Sequence, residues 1–161
     1  LGAAMAAIRA SVARHRPDLT TPPILVEPML AGQAEVLVGY RVDDQAGPIV
    51  LVAAGGELAE MFTERSLRLA PVDLPTARDM ISEVKSLRLL AGYRGRPPAD
   101  TEALAQAIVN LSNLALDAKV VELEINPLLV RGIGQGVIAV DALVRMRDIA
   151  PGAASGEGMS S

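Results

Sequence analysis

Apolar residues recur along this chain with two different periods. Met80, Ile81, Val84, Leu87 and Leu90 fall on one stripe, the spacing of a single helix face. Pro75 suits the first turn of that helix and Gly92 its C-terminal cap. A second stripe, Leu104, Ile108, Leu111 and Leu114 or Ala115, follows Asp100, a good N-cap, and predicts a helix to about Leu116. Residues 2–16 are Ala-rich, carry Met5, Ile8 and Val12 at helical spacing, and stop at Pro17.

Elsewhere the period is two. Glu35 to Val42 and Pro48 to Ala54 alternate on either side of Asp43-Asp44-Gln45-Ala46-Gly47, which is a hairpin pattern. Gly55-Gly56 breaks it, and Glu57 to Arg65 reads as a short helix. Ile24-Leu25-Val26-Glu27 reads as a short strand stopped by Pro28. Towards the end come a strand from Val120 to Val130, a loop from Arg131 to Gly136 and a return strand from Val137 to Val144. The sum is an antiparallel sheet with packed helices, an α+β domain.

Composition narrows the field. At 161 residues the chain suits one domain, and with half its residues hydrophobic but only 2% aromatic its core must be aliphatic. The net charge of −4 argues against a nucleic-acid or anionic-membrane surface. With no cysteine, disulfides, thiolate zinc sites and cysteine nucleophiles are excluded. No apolar run approaches the roughly 18 residues of a membrane span, so a cytoplasmic protein is expected. The chain opens on Leu1 inside a helical pattern, which suggests a domain cut from a longer polypeptide.

The last hairpin holds the candidate chemistry. Glu122, Glu124 and Asn126 share one face of its first strand, and Asp141 interrupts the apolar run of the second. Folding about the centre of the loop sets Val130 against Val137 and Asn126 against Asp141, with Cβ atoms about 4.5–5.5 Å apart. Glu124 lies two residues along the same face. One carboxamide oxygen and two carboxylates are hard donors of the kind Mg²⁺ takes while keeping waters and phosphate oxygens. On pattern alone the commoner reading is the solvated face of an antiparallel sheet.

Val121-Glu122-Leu123-Glu124-Ile125-Asn126-Pro127-Leu128, followed by Ala139-Val140-Asp141-Ala142, resembles the metal hairpin of the ATP-grasp module in ADP-forming acyl-CoA synthetases. It is also similar to the nucleotide-binding subunit of succinyl-CoA synthetase. The resemblance implies that Asn126 and Asp141 hold Mg²⁺ and that Glu124 stands where a phosphohistidine is brought close to the metal. Ile24 to Glu27, with Glu35 opening the next strand, is similar to the family's nucleotide-contacting segment. Glu27 would then lie at the hinge beside adenine, and Glu35 would be a second nucleotide-contacting acid. Gly47-Pro48-Ile49-Val50, Gly55-Gly56, Arg68-Leu69-Ala70-Pro71 and Gly92 to Asp100 extend the likeness over roughly residues 20–147. Two departures stand out: Glu64 where the family carries Asp, and a reduced glycine run before Glu57.

The resemblance implies an N-terminal helix and linker over 1–19, an ATP-grasp C-terminal lobe over 20–147 and a disordered tail over 148–161. It implies ATP or ADP as ligand, and as partner the remainder of a synthetase, with its other ATP-grasp lobe and a CoA-binding domain or subunit, oligomeric when intact. The parent reaction would join an acid to CoA at the expense of ATP, through an acyl phosphate and a phosphohistidine. The chain alone lacks the phosphate-binding lysines, catalytic histidine motif and CoA-binding domain of such an enzyme, so no synthetase activity is expected of it. The alternatives are a non-catalytic nucleotide-binding or subunit-contact module and another ATP-grasp carboxylate ligase. Three features are set aside: Gly55-Gly56 as a phosphate cradle, since a tight turn explains a diglycine; His15 as a phosphohistidine; and Lys85 and Lys119 as phosphate ligands. Arg94 and Arg96 read equally as phosphate-binding or solvated.

Overall fold

A computed structural model describes residues 1–19, 23–56, 64–92, 95 and 97–147. The chain divides into two units, Leu1–Leu30 and Ala31–Ser161. In the first, helix α1 (Gly2–His15) buries none of its side chains and ends in the basic residues Arg14 and His15, of which the Arg14 cation suits a helix C-terminus. Pro23 to Leu30 has no regular structure, so the strand expected at Ile24–Glu27 does not form. Leu25 and Val26 are exposed, and the prolines on either side withhold the ladder donors a strand needs.

The second unit is built on a six-stranded sheet. The expected hairpin forms as β1 (Ala34–Asp43) and β2 (Gly47–Ala54), paired from Val36↔Ala54 to Asp43↔Gly47. Asp43 closes the turn by accepting the Gln45 and Ala46 N–H groups at 3.0 Å each. Arg65 opens a strand, β3 (Arg65–Leu69), where a helix end was expected, and Glu64 before it has no regular structure; Glu57 to Thr63 of that expected helix lie outside the described residues. The order is β3-β2-β1-β4-β5, all antiparallel, with β4 (Val120–Val130) long enough to carry β5 (Val137–Ala139) and β6 (Ala142–Met146) end to end along its outer edge.

One face of this sheet is covered. Val36, Val38, Val50 and Val52 are fully or almost fully buried against Met80 of α2 (Leu74–Glu83) and Leu104 and Ile108 of α3 (Thr101–Ser112). The stripe that predicted one long helix divides at Val84, whose extended ψ of 102° stops α2. Lys85–Ala91 winds on as a 3-10 helix. With three residues per turn, Val84, Leu87 and Leu90 still share a face, and all three are buried. On the other face of the sheet Leu67 and Leu69 stand exposed. No described helix is long and apolar enough to cross a membrane.

Candidate functional site

The expected register of the last hairpin holds: Val130 pairs with Val137 and Leu128 with Ala139. Asp100 ties this hairpin to the helical layer. Its carboxylate caps α3 through the Ala103 N–H at 3.1 Å and accepts the Gly136 N–H at 3.0 Å, while its own N–H donates to the Arg131 carbonyl at 2.8 Å. These donors, Ala103 first and Gly136 next, hold the Asp100 carboxyl below the usual carboxylate range.

Between Ile125 and Leu128 the strand is irregular. Val38 pairs with Ile125 and Val36 with Leu128, so Asn126 and Pro127 together oppose the single residue Leu37. This is a β-bulge, a device that re-aims side chains beside functional sites. The outer strand carries the same surplus, because Leu128 pairs with Ala139 and Ile125 with Ala142, leaving Val140 and Asp141 between. The return strand therefore breaks into β5 and β6. Two hydrogen bonds span the break, from the Asn126 N–H to the Asp141 carbonyl and from the Val140 N–H to the Pro127 carbonyl, both 3.1 Å. The surplus residues of the two strands thus include the two expected metal ligands, brought directly opposite each other.

Asn126 is half-buried and Asp141 exposed; Glu124, also exposed, lies on β4 opposite Gly39. Glu35 reaches the same place from β1. Gly56, at the end of β2, donates its N–H to Asn126 Oδ1 at 3.4 Å, and a Cβ on Gly56 would overlap Glu35 Oε2. The diglycine set aside in the sequence as a tight turn is therefore part of the site's wall. Its signal was visible, but the close approach that requires glycine was not. Glu27 belongs to the other unit and is exposed on its irregular segment. His15, also there, is exposed and donates from Nδ1 to the Ser11 carbonyl at 2.9 Å. Lys85 forms an ion pair with Glu64 at 3.5 Å, away from the hairpin's ladder. Arg94 and Arg96 lie outside the described residues.

The described residues include no group of three or more His, Cys, Asp or Glu side chains arranged to hold a metal by themselves. Asn126 and Asp141, on opposed residues, would offer one carboxamide and one carboxylate oxygen, a sparse set that suits a cation which keeps waters and takes further ligands from a bound phosphate, as Mg²⁺ does.

A family model of the ATP-grasp domain matches residues 1–146, and the chain belongs to that family. Its relatives narrow the class. The chain is 34% identical over 142 residues to the beta subunit of acetate–CoA ligase [ADP-forming] II of Pyrococcus furiosus, covering 87% of this chain and 60% of the relative. It is 36% identical over 132 residues to acetate–CoA ligase [ADP-forming] I of Archaeoglobus fulgidus, covering 81% of this chain but 19% of the relative. Among solved structures, the dinucleotide-forming acetyl-coenzyme A synthetase 1 of Ca. Korarchaeum cryptofilum superposes with a TM-score of 0.66 at 33% identity, over 79% of this chain and 55% of that one. That structure holds coenzyme A and Mg-AMPPCP, with a phosphohistidine segment pointing towards the nucleotide-binding site. The matched stretch thus corresponds to a part of each of these relatives, 60% of the first and 19% of the second.

Proposed function

We propose that the chain is the C-terminal ATP-grasp lobe of an ADP-forming acyl-CoA synthetase, and that it carries the Mg²⁺ and phosphate end of the nucleotide site. The observation that carries this reading is the hairpin register that sets Asn126 against Asp141 where β4 bulges, with the Gly56 N–H on Asn126 and the Glu35 carboxylate beside Gly56. Asn126 and Asp141 would hold Mg²⁺, which supplies charge neutralisation for phosphate oxygens. Glu35 and Glu27 help to seat the nucleotide, Glu27 at the hinge. Glu124 orients the incoming phosphoryl acceptor, a histidine elsewhere in the intact enzyme.

In that enzyme, acid, CoA and ATP become acyl-CoA, ADP and phosphate. The bond from the γ-phosphorus to the β-phosphate oxygen breaks as a bond to the histidine nitrogen forms, or the reverse when ATP is made. Such transfer is governed by alignment and charge more than by covalent work from the protein, which suits a lobe rich in oxygen donors.

The test uses the intact synthetase that contains this chain, with Mg-ATP, CoA and a panel of short and branched acids. Multiple-turnover ADP release, beyond one equivalent per site, is expected only when acid and CoA are both present, and Asn126→Ala and Asp141→Ala should each suppress it. ADP release indifferent to CoA would assign the chain to another ATP-grasp ligase. A folded enzyme releasing none in any mixture would make it a binding module.

A further inference from the structure

Just past the end of β2, two consecutive glycines lie close to β1, Gly55 against the backbone of Val36 and Gly56 against the carboxylate end of the Glu35 side chain. A Cβ on Gly55 would stand 2.7 Å from the Val36 carbonyl carbon and 2.9 Å from its nitrogen. A Cβ on Gly56 would overlap Glu35 Oε2 and lie 2.7 Å from that carboxyl carbon. Gly56 also has a φ of +60°, but backbone conformation alone does not account for it. Gly47 and Gly134, with φ of +82° and +75°, have nothing within 4 Å of where a Cβ would be. Those two glycines answer to backbone conformation only, whereas Gly56 answers to conformation and to space.

Two groups meet at this residue. The space left by the missing side chain is filled by the Glu35 carboxylate, and the N–H of the same residue donates to Asn126 Oδ1 at 3.4 Å. A carboxamide oxygen has two lone pairs, so one N–H leaves the other free for a cation. Rotating the amide by half a turn would set its NH₂ against the Gly56 N–H, donor to donor, and would present a group that cannot ligate. We propose that Gly56 is a positioning residue for this site: its N–H selects the orientation of the Asn126 carboxamide, and its bare Cα makes room for the Glu35 carboxylate beside it. The inference builds on the reading of Asn126 as a metal ligand.

Three readouts test it, melting and amide spectra on the full chain and metal–nucleotide binding on the intact synthetase, with Gly47→Ala as the control that shares the backbone strain but not the crowding. Thermal melting should show a larger loss for Gly56→Ala than for Gly47→Ala, and the excess should vanish in the Gly56→Ala/Glu35→Ala double variant. Equal losses at the two glycines, or an excess that survives Glu35→Ala, would overturn the steric half. In ¹⁵N-resolved spectra the side-chain amide of Asn126, assigned by its disappearance in Asn126→Ala, should move in Gly56→Ala and stay put in Gly47→Ala. An unmoved signal would overturn the hydrogen-bond half. Binding of Mn²⁺ with ATP to the intact synthetase, followed by electron paramagnetic resonance, should weaken ~10-fold in Gly56→Ala relative to Gly47→Ala, because the added Cβ displaces the Glu35 carboxylate and shifts the N–H that orients Asn126. Equal affinity would overturn the positioning role. Should the unaltered synthetase bind no Mn²⁺–ATP, the functional reading fails, and the melting and amide readouts still decide the geometry.

Discussion

Asp100 joins two parts of the molecule through one carboxylate, since it caps α3 and holds the turn of the site hairpin by the Gly136 N–H. The cap was legible in the sequence because Asp precedes a helical stripe. The bond to Gly136, thirty-six residues away, was not, because nothing local encodes it. The carboxyls of Asp100 and Asp43 are both depressed, the second to about 2, chiefly by the Ala46 N–H and then by Arg41 and the Gln45 N–H. A depressed folded value means stability that is present above the unfolded value of 3.8 and lost as pH falls through the folded one. Melting temperature is therefore expected to fall as pH drops from about 4 towards 2. In Asp100→Asn the fall should be shallower and start from a lower melting temperature at neutral pH. A pH series of thermal melts on both proteins checks this.

Among the elements, β3 was the least legible. Its alternation runs backwards: Leu67 and Leu69 face out, while Ser66 sits on the buried side and Arg68 beside it is half-buried. The inversion is tolerated because Glu83 of α2 meets both, accepting from the Ser66 hydroxyl at 2.5 Å and from Arg68. A reading that assigns polar residues to the outside cannot find such a strand. The division at Val84 was hidden for the opposite reason, since stripes of period three and 3.6 coincide over so few turns. Packing of the helical layer rests on Leu104, wholly buried, and on Ser112, whose hydroxyl accepts the Val72 N–H at 3.0 Å and donates to Val109 at 2.8 Å. Leu104→Ala is expected to cost about 2–5 kcal/mol. Ser112→Ala, which strands the Val72 N–H, should cost about 1–3 kcal/mol. Urea titration measures both, and a loss under about 0.5 kcal/mol at either site would contradict the packing described.

At the scale of the whole molecule, the chain spans about half the length of the beta-subunit relatives it matches. An assay of the isolated chain should therefore show no ADP release dependent on acid and CoA, whereas the intact synthetase should show it. The hairpin register and the pairing of Asn126 with Asp141 were legible, because a six-residue loop and alternating strands leave little freedom. The bulge was not, since it exists only relative to β1, a strand nearly ninety residues earlier. It has a consequence for chain length. Between the same two buried positions β1 uses one intervening residue, while β4 and its outer neighbour each use two. Along the regular part of β4, a one-residue deletion would turn Leu128 and Val130 outward. At the bulge, removing Pro127 together with Val140 should leave Leu128 and Val130 facing the core and the fold intact by circular dichroism, with only Mn²⁺–ATP binding altered. Length is what a strand in a sheet ordinarily guards most closely, and here, where the chemistry is proposed to sit, the chain can give up a residue on either side and still close its sheet.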